Sequence, residues 1–427
     1  MSQRDPASTA RSSPWRALRY PVFRRLWIAT MVSNIGSWMY SAAAGWLMTS
    51  LNSDALIVSL VQVANSLPLF LLALPAGAFA DLFDRRRLIL ALEILTTLVS
   101  AVFALLVSLH AANPTILLLF ALAVAMLGAL EMPAWQSIVP DLVPKGILPS
   151  AIATNSLGVN LSRAIGPALG GAAILALGIA VPFWFDAFSN LGVILIFILW
   201  RASRRVERTL PTERLPSAVR AGLQYARNSR PLRAALVRAG GFFLFASAYW
   251  AVLPLLAKEQ LHGGPTLYGL LLGFIGVAAI MGALILPQLV ARLGSNTTVT
   301  LGGAVTAAAL AIFALATSAL WAFIACALAG VSWIAVVATL NVSAQRSLPD
   351  WVRGRGLAIY TAAFFGSMTL GSLLWGYLAE RVGLRAALLA AAAGALLAAV
   401  ALSRAKLLSG AVPDLSPSMH WPPPILS

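Results

Sequence analysis

Four ionisable side chains interrupt long apolar runs of this 427-residue chain: Glu93, Glu131, Arg163 and Asp186. A charge held away from water is costly, so it is kept where it carries a proton, binds a ligand or pairs with another charge. Three carboxyls and one guanidinium could do each of these, and all four are proton-coupling candidates. Other chemistries lack their parts. His110, His262 and His420 lie far apart with no metal-ligand spacing, and no serine or cysteine stands in a triad pattern. The single Cys326 excludes an intramolecular disulfide. The only lysines are Lys145, Lys258 and Lys406, so there is no phosphate-binding Gly-x-x-x-x-Gly-Lys-Ser/Thr loop. Neither an enzyme, a metal site nor a cofactor is expected.

The elements that position these groups follow from composition. The chain is 60% hydrophobic and 10% charged, against roughly 25% charged residues in soluble domains. The net charge of +16 falls between apolar runs and builds no basic domain, which argues against nucleic acid and for a lipid bilayer. Runs long enough to cross about 30 Å of hydrocarbon cover 26–50, 56–80, 88–109, 114–138, 152–176, 181–200, 239–257, 266–291, 298–318, 321–345, 356–379 and 386–403. The expected architecture is all-α, with twelve transmembrane helices in two pseudo-symmetric six-helix bundles. The first run reads as a retained span, not a removable signal peptide.

Arginine placement orients the chain. Residues 1–25 hold six arginines, 85–87 three and 201–238 ten, whereas the loops of the other side hold only Lys258, Arg381 and Arg385. By the positive-inside rule both termini are cytoplasmic, as an even number of spans requires. The expected organisation is a basic tail (1–25), a first half (26–200), a cytoplasmic connector (201–238), a second half (239–405) and a disordered Pro-rich tail (406–427). The connector stretch 218–236 suits an amphipathic surface helix interrupted near Pro231. Pro-Asp-x-Val recurs at 140–143 and 349–352, at equivalent places of the two six-span blocks, as a duplicated unit would show.

With these features the chain resembles the major facilitator superfamily over essentially its whole length. Residues 77–87, "GAFADLFDRRR", are similar to the superfamily's signature between spans two and three, matched at Gly77, Asp81, Arg85 and Arg86 and followed by Arg87. Asp84 stands where the pattern has its second glycine, which implies a looser turn. The resemblance assigns this element a gating role; the bland alternative is that the arginines only satisfy the positive-inside rule. "NLSRAIGPALGG" (160–171) is similar to the antiporter element of span five, through Gly166, Pro167, Gly170 and Gly171. Together with "FDAFSN" (185–190) and "LPDWVRGRG" (348–356) it resembles the enterobactin-exporter-like branch, which includes siderophore exporters and drug-efflux proteins.

Depth arithmetic at about 1.5 Å per residue places Glu131 and Arg163 nearest each other, so an Arg163–Glu131 contact is expected. Glu93 is the weaker partner. Asp186, one turn before Asn190, is either a cap or an outer-gate ligand. For Arg163 a helix-clamping role stays open beside a coupling role. In an α-helix Arg163, Gly166 and Gly170 share one face, where glycines admit a close neighbour. Several tryptophans, among them Trp46, Trp184, Trp200, Trp250, Trp321 and Trp375, fall near span ends and read as interfacial belts. Trp38 and Trp333 fall near the midplane. The resemblance implies a central cavity lined by spans one, four, seven and ten, with Asn34, Trp38, Phe245, Tyr249 and Trp333 as candidates; packing is the alternative for each.

The expected function is secondary active transport: a proton-coupled exporter of a small amphiphilic molecule in the cell membrane, acting as a monomer. An uptake permease of the same fold and a non-transporting membrane sensor are the alternatives, the first opposed by residues 166–171.

Overall fold

The computed structural model describes residues 14–200, 215–349 and 352–408. Within them the chain is helical, with no strand, and is built from thirteen α-helices. The first bundle holds α1 (Pro21–Leu51), α2 (Ala55–Leu72), α3 (Pro75–Leu82), α4 (Arg85–Ser108), α5 (Pro114–Ile138), α6 (Leu148–Leu177) and α7 (Val181–Leu199). A connector helix, α8 (Leu215–Asn228), leads to α9 (Arg230–Leu255), α10 (Pro265–Leu315), α11 (Ala319–Arg346), α12 (Arg353–Val382) and α13 (Leu384–Ala401).

Local chemistry sets the ends. Asn113 accepts from Ile116 N–H at 2.9 Å and Pro114 opens α5, so an orphan donor is capped and proline costs nothing there. Asp84 caps α4 in the same way, accepting from Arg87 N–H at 3.0 Å. Its carboxylate gives the start of α4 a fixed partner at the position where the pattern has glycine. Ser229 caps α9 with Pro231 in its first turn, so the connector breaks where Pro231 predicts.

Ten of the described helices are long and apolar enough to cross a membrane. One of them, α10, has 51 residues, or about 77 Å at 1.5 Å per residue, more than twice a hydrocarbon core. It breaks at Gly294 (φ 77°, ψ 161°), a left-handed position that glycine adopts without strain, and is two helices in sequence. The long helix not among the ten is α1, which is diluted by Ser33, Asn34, Ser37, Tyr40 and Ser41. The twelve expected spans correspond to α1, α2 with α3, α4 to α7, α9, the two arms of α10, and α11 to α13.

Two of the expected boundaries move here. The seventh span starts at Arg230, nine residues before 239, which brings Arg238 into a helix. The second bundle is therefore not free of buried charge. Arg238 is 3% exposed and donates to Asn296 Oδ1 (3.0 Å), Asn296 O (3.1 Å) and Thr300 Oγ1 (2.6 Å), pinning α9 to the reversal of α10. Residues 14–25 are no loose tail. Pro14–Arg19 form a 3-10 helix whose buried Ala17 N–H donates to Ser150 Oγ at 3.2 Å. Of the tail and connector assignments, residues 1–13, 201–214 and 409–427 lie outside the described residues.

The bundles meet along two seams, α2 against α12 and α6 against α10. At the face remote from the termini the seams are tight. A Cβ on Gly171 would stand 2.5 Å from Pro265 O and 3.1 Å from Thr266 Cα. Gly269 in turn lies against Pro167 O and Gly171. Ala55 N–H donates to Glu380 Oε2 at 2.7 Å, Lys258 Nζ donates to Thr49 O, and Trp46 stacks on Tyr268. Nearer the midplane Ser66 and Thr369 share a 2.9 Å hydrogen bond and Gly366 faces Phe70. Gly276 also packs on Ala164 near the midplane, so these contacts hold the bundles together from the remote face inward.

Gly171→Leu is expected to wedge this closed end apart. Overpacking costs about 1–3 kcal/mol. In a Cys326→Ser background, the thiol introduced by Thr266→Cys should then react with an impermeant reagent about fivefold faster or more.

Candidate functional site

Arg163 sits on α6, and its surroundings follow from the glycines after it. A Cβ on Gly166 would stand 2.5 Å from Trp38 Cβ, and one on Gly170 would stand 3.1 Å from Met39 Cα. The shared face of Arg163, Gly166 and Gly170 therefore packs on α1, while Gly171, one residue round, reaches the second bundle. That close approach sets Trp38 beneath the guanidinium, with Arg163 Cζ 5.2 Å from the ring centroid.

The expected Arg163–Glu131 contact is not formed. Among the described residues the ion pair within 4.0 Å is Arg85–Asp141 at 3.6 Å. The physical reason is where α6 begins. It starts at Leu148, four residues earlier than expected, so Arg163 lies 15 residues in, or about 22 Å deep. Glu131 is seven residues from the end of α5, or about 10 Å deep, too far for an arginine side chain. Glu93, eight residues into α4, is about 12 Å deep and meets Glu131 at its own level. The two carboxyls face each other within hydrogen-bonding reach. Glu93 is 6% exposed, and Glu131 Oε1 is buried with no partner.

Among the described residues Arg163 is left without an acid. Its Nε is buried with no acceptor, and it lines a narrow cleft between the bundles. Trp38, Pro167, Trp250, Leu272 and Trp333 complete the walls. Trp250 carries a second unpartnered donor, its buried Nε1, and its ring lies 5.4 Å from that of Trp333. Both expected midplane tryptophans thus line one site. Trp250, read as a belt residue, belongs with them because the helix runs on to Gln260 and leaves it ten residues from the outer end. Trp375 is no belt either: it is 4% exposed and donates to Leu244 O at 2.7 Å.

Three cavity candidates fall elsewhere. Phe245 turns away to pack on Trp375 and Gly394. Tyr249, 1% exposed, is stacked on Phe313 in the core of the second bundle. Asn34 is not among the lining residues. A larger recess lies nearer the terminal face, between α1, α5 and the start of α6. Trp27, Trp135, Gln136 and Asn155 line it. Its only sequence signal is two amides among tryptophans, which periodicity alone does not single out.

Asp186 lies inside the first bundle. It is 2% exposed, accepting from Ser100 Oγ at 2.7 Å and Ser37 Oγ at 3.2 Å; Asn190 accepts from Ser33 Oγ at 2.6 Å. The 77–87 arginines bind within their own bundle. Arg85 donates to Ser137 O, and Arg86 donates to Phe197 O (2.7 Å) and Ile198 O (3.0 Å), the free carbonyls at the end of α7. The partner of Arg85, Asp141, belongs to the first Pro-Asp-x-Val. Its counterpart Asp350 lies outside the described residues, as does the side chain of Asp81.

Two six-span bundles closed at one face, around a cavity with an unpaired charge, define a secondary membrane transporter. The comparisons agree: a profile of the transmembrane secretion effector family matches residues 12–427, and the chain belongs to that family. It is 24% identical to the staphyloferrin A transporter of Staphylococcus aureus, over 82% of this chain and 87% of that one. It is 26% identical to the multidrug efflux pump Tap of Mycolicibacterium fortuitum, over 85% and 90%. The fold superposes on the crystal structure of the nucleoside transporter NupG with a TM-score of 0.72 at 10% identity, covering 90% of this chain and 99% of that one. The chain is a multi-pass membrane transporter of small molecules and not an enzyme.

Arg163→Met separates a ligand-binding arginine from a helix clamp. Removing an unsatisfied buried donor relieves about 1–3 kcal/mol, against a cation–π contact of about 1–2 kcal/mol. The melting temperature in detergent is expected to hold or rise while transport falls about tenfold or more. A clamp would instead lose stability.

Proposed function

We propose that this chain is a proton-coupled exporter of small amphiphilic molecules, working as a monomer by alternating access in the cell membrane. The observation that carries the reading is the Arg163–tryptophan cleft between two bundles whose seam is tight at the remote face. The opposite face is the arginine-rich one, with Arg24, Arg25 and Arg85–Arg87, and the positive-inside rule makes it cytoplasmic. Ligand enters from the cytoplasm past the Trp27–Trp135 recess and reaches Arg163. Rocking of the bundles about the α2–α12 and α6–α10 seams then exposes it outside. Indole walls favour an apolar or aromatic body, and two unpartnered donors favour a carbonyl or anionic group on it. Multidrug efflux by one relative and transport of staphyloferrin A by another support cargo of this kind.

The Glu93–Glu131 pair supports proton coupling. Ionised carboxylates only accept, so a hydrogen bond between them holds a proton that can be released when the helices move. Residues 77–87 serve as the gate in this reading: Arg85 and Arg86 hold the ends of α5 and α7 to α4, so the first bundle rocks as one body.

A strain lacking the chain should retain compounds that the parent expels, and a proton uncoupler should abolish the difference. Complementation with Glu93→Gln or Glu131→Gln is expected to restore about a tenth of the extrusion or less. Equal retention in deletion and parent strains would overturn the reading.

A further inference from the structure

One face of α4 carries Glu93, Thr96, Thr97 and Ser100, spaced by three and four residues. At one end is the Glu93–Glu131 pair, and at the other Ser100 donates to Asp186 at 2.7 Å. Between them the Oγ1 atoms of Thr96 and Thr97 are buried with no partner. Hydroxyls in membrane helices ordinarily return to the carbonyl four residues back, and Ser66, Ser108 and Thr369 do so here. These two threonines do not, so both hydroxyls are free to bond along the face. Glu131 from α5, Asp186 from α7 and Tyr40 from α1 are the other titratable groups facing this surface.

The track ends at a plug. Beyond Asp186, Tyr40, Phe103, Phe120 and Phe183 stack with centroids 4.9–6.0 Å apart, Phe103 and Phe183 being fully buried. No residue of the track lines the Arg163 cavity. The major seams with the second bundle run through α2 and α6, so α4 and α7 stand behind the ligand route.

We propose that protons cross the first bundle along this face of α4, between the Glu93–Glu131 pair and Asp186, on a path separate from the ligand cavity. Glu93 gives its carboxyl proton to a bridging water or threonine hydroxyl, which passes on its own. The last transfer protonates the Asp186 carboxylate, leaves Glu93 ionised and leaves every hydroxyl unchanged. Asp186 meets the track through Ser100 and is held from α1 by Ser37, with the aromatic plug beyond it. Water is suited to the gaps because buried polar groups are its usual partners.

The inference rests on the proton-coupled reading, but its test needs no ligand. Infrared spectra of the reconstituted protein follow carboxyl bands after a pH jump, with Glu93→Gln and Asp186→Asn assigning them. The Asp186 band should respond in the wild type and slow about tenfold or more in Thr96→Val/Thr97→Val. The Glu93 band should keep its rate, and restoring one hydroxyl with Thr96→Val/Thr97→Ser should recover most of the Asp186 rate. A wild-type Asp186 band that ignores pH, or a double variant within about twofold of wild type, overturns the route. If the double variant loses its helical circular dichroism, Thr96→Ala/Thr97→Ala makes the same comparison. Failure of the exporter reading would appear in the extrusion assay and leave this result standing.

Discussion

The fold depends on one constraint: a polar group placed in hydrocarbon must be satisfied inside the protein, because lipid offers it nothing. The buried charges of the two bundles answer it differently. Arg238 in the second bundle is fully engaged by Asn296 and Thr300 and serves only to hold the turn at Gly294. The first bundle leaves the demand partly unmet. Arg163 Nε, Glu131 Oε1, Thr96 Oγ1 and Thr97 Oγ1 all lack partners. In a packed protein such groups are few, and each unmet one costs about 1–3 kcal/mol. The second bundle also holds unpartnered hydroxyls and an indole, but the charged groups among them, Arg163 and Glu131, both belong to the first.

Glycine makes that arrangement mechanically possible. Gly166 and Gly170 draw α1 against α6, and Gly171 draws α6 against Pro265 and Gly269 of the second bundle. One helix thus presses the fixed contact of its own bundle and the seam that must open, on adjacent faces. A side chain at any of these positions would push the backbones apart and move Trp38 from beneath Arg163. The ligand site and the closed seam therefore share a cause.

Much of the candidate site was legible, and its gaps have a common origin. Trp38 and Trp333 were placed at the midplane because their depth needed only a rough span. The face shared by Arg163, Gly166 and Gly170 needed only helical periodicity. Pairing the charges required the helix starts. Four residues at the beginning of α6 moved Arg163 about 6 Å and broke the expected contact with Glu131. The same kind of error hid Arg238, since α9 begins at Arg230 and not at 239, and placed Trp250 in a belt, since the helix runs on to Gln260. Phe245 and Tyr249 were misplaced for another reason: on an almost wholly apolar helix, hydropathy does not say which face meets the cavity.

The chain by itself determined the membrane class, the twelve-span pattern, the family motifs and the absence of enzyme chemistry. Each of these rests on composition or on spacing along one helix, where bond geometry does the rest. Only the tertiary structure decided which charges meet, which remain alone and which aromatics wall the cavity. Those outcomes depend on the relative depth and rotation of neighbouring helices. Shifts of a single helical turn, invisible in a run of leucines and alanines, decide whether a guanidinium finds a carboxylate or a tryptophan.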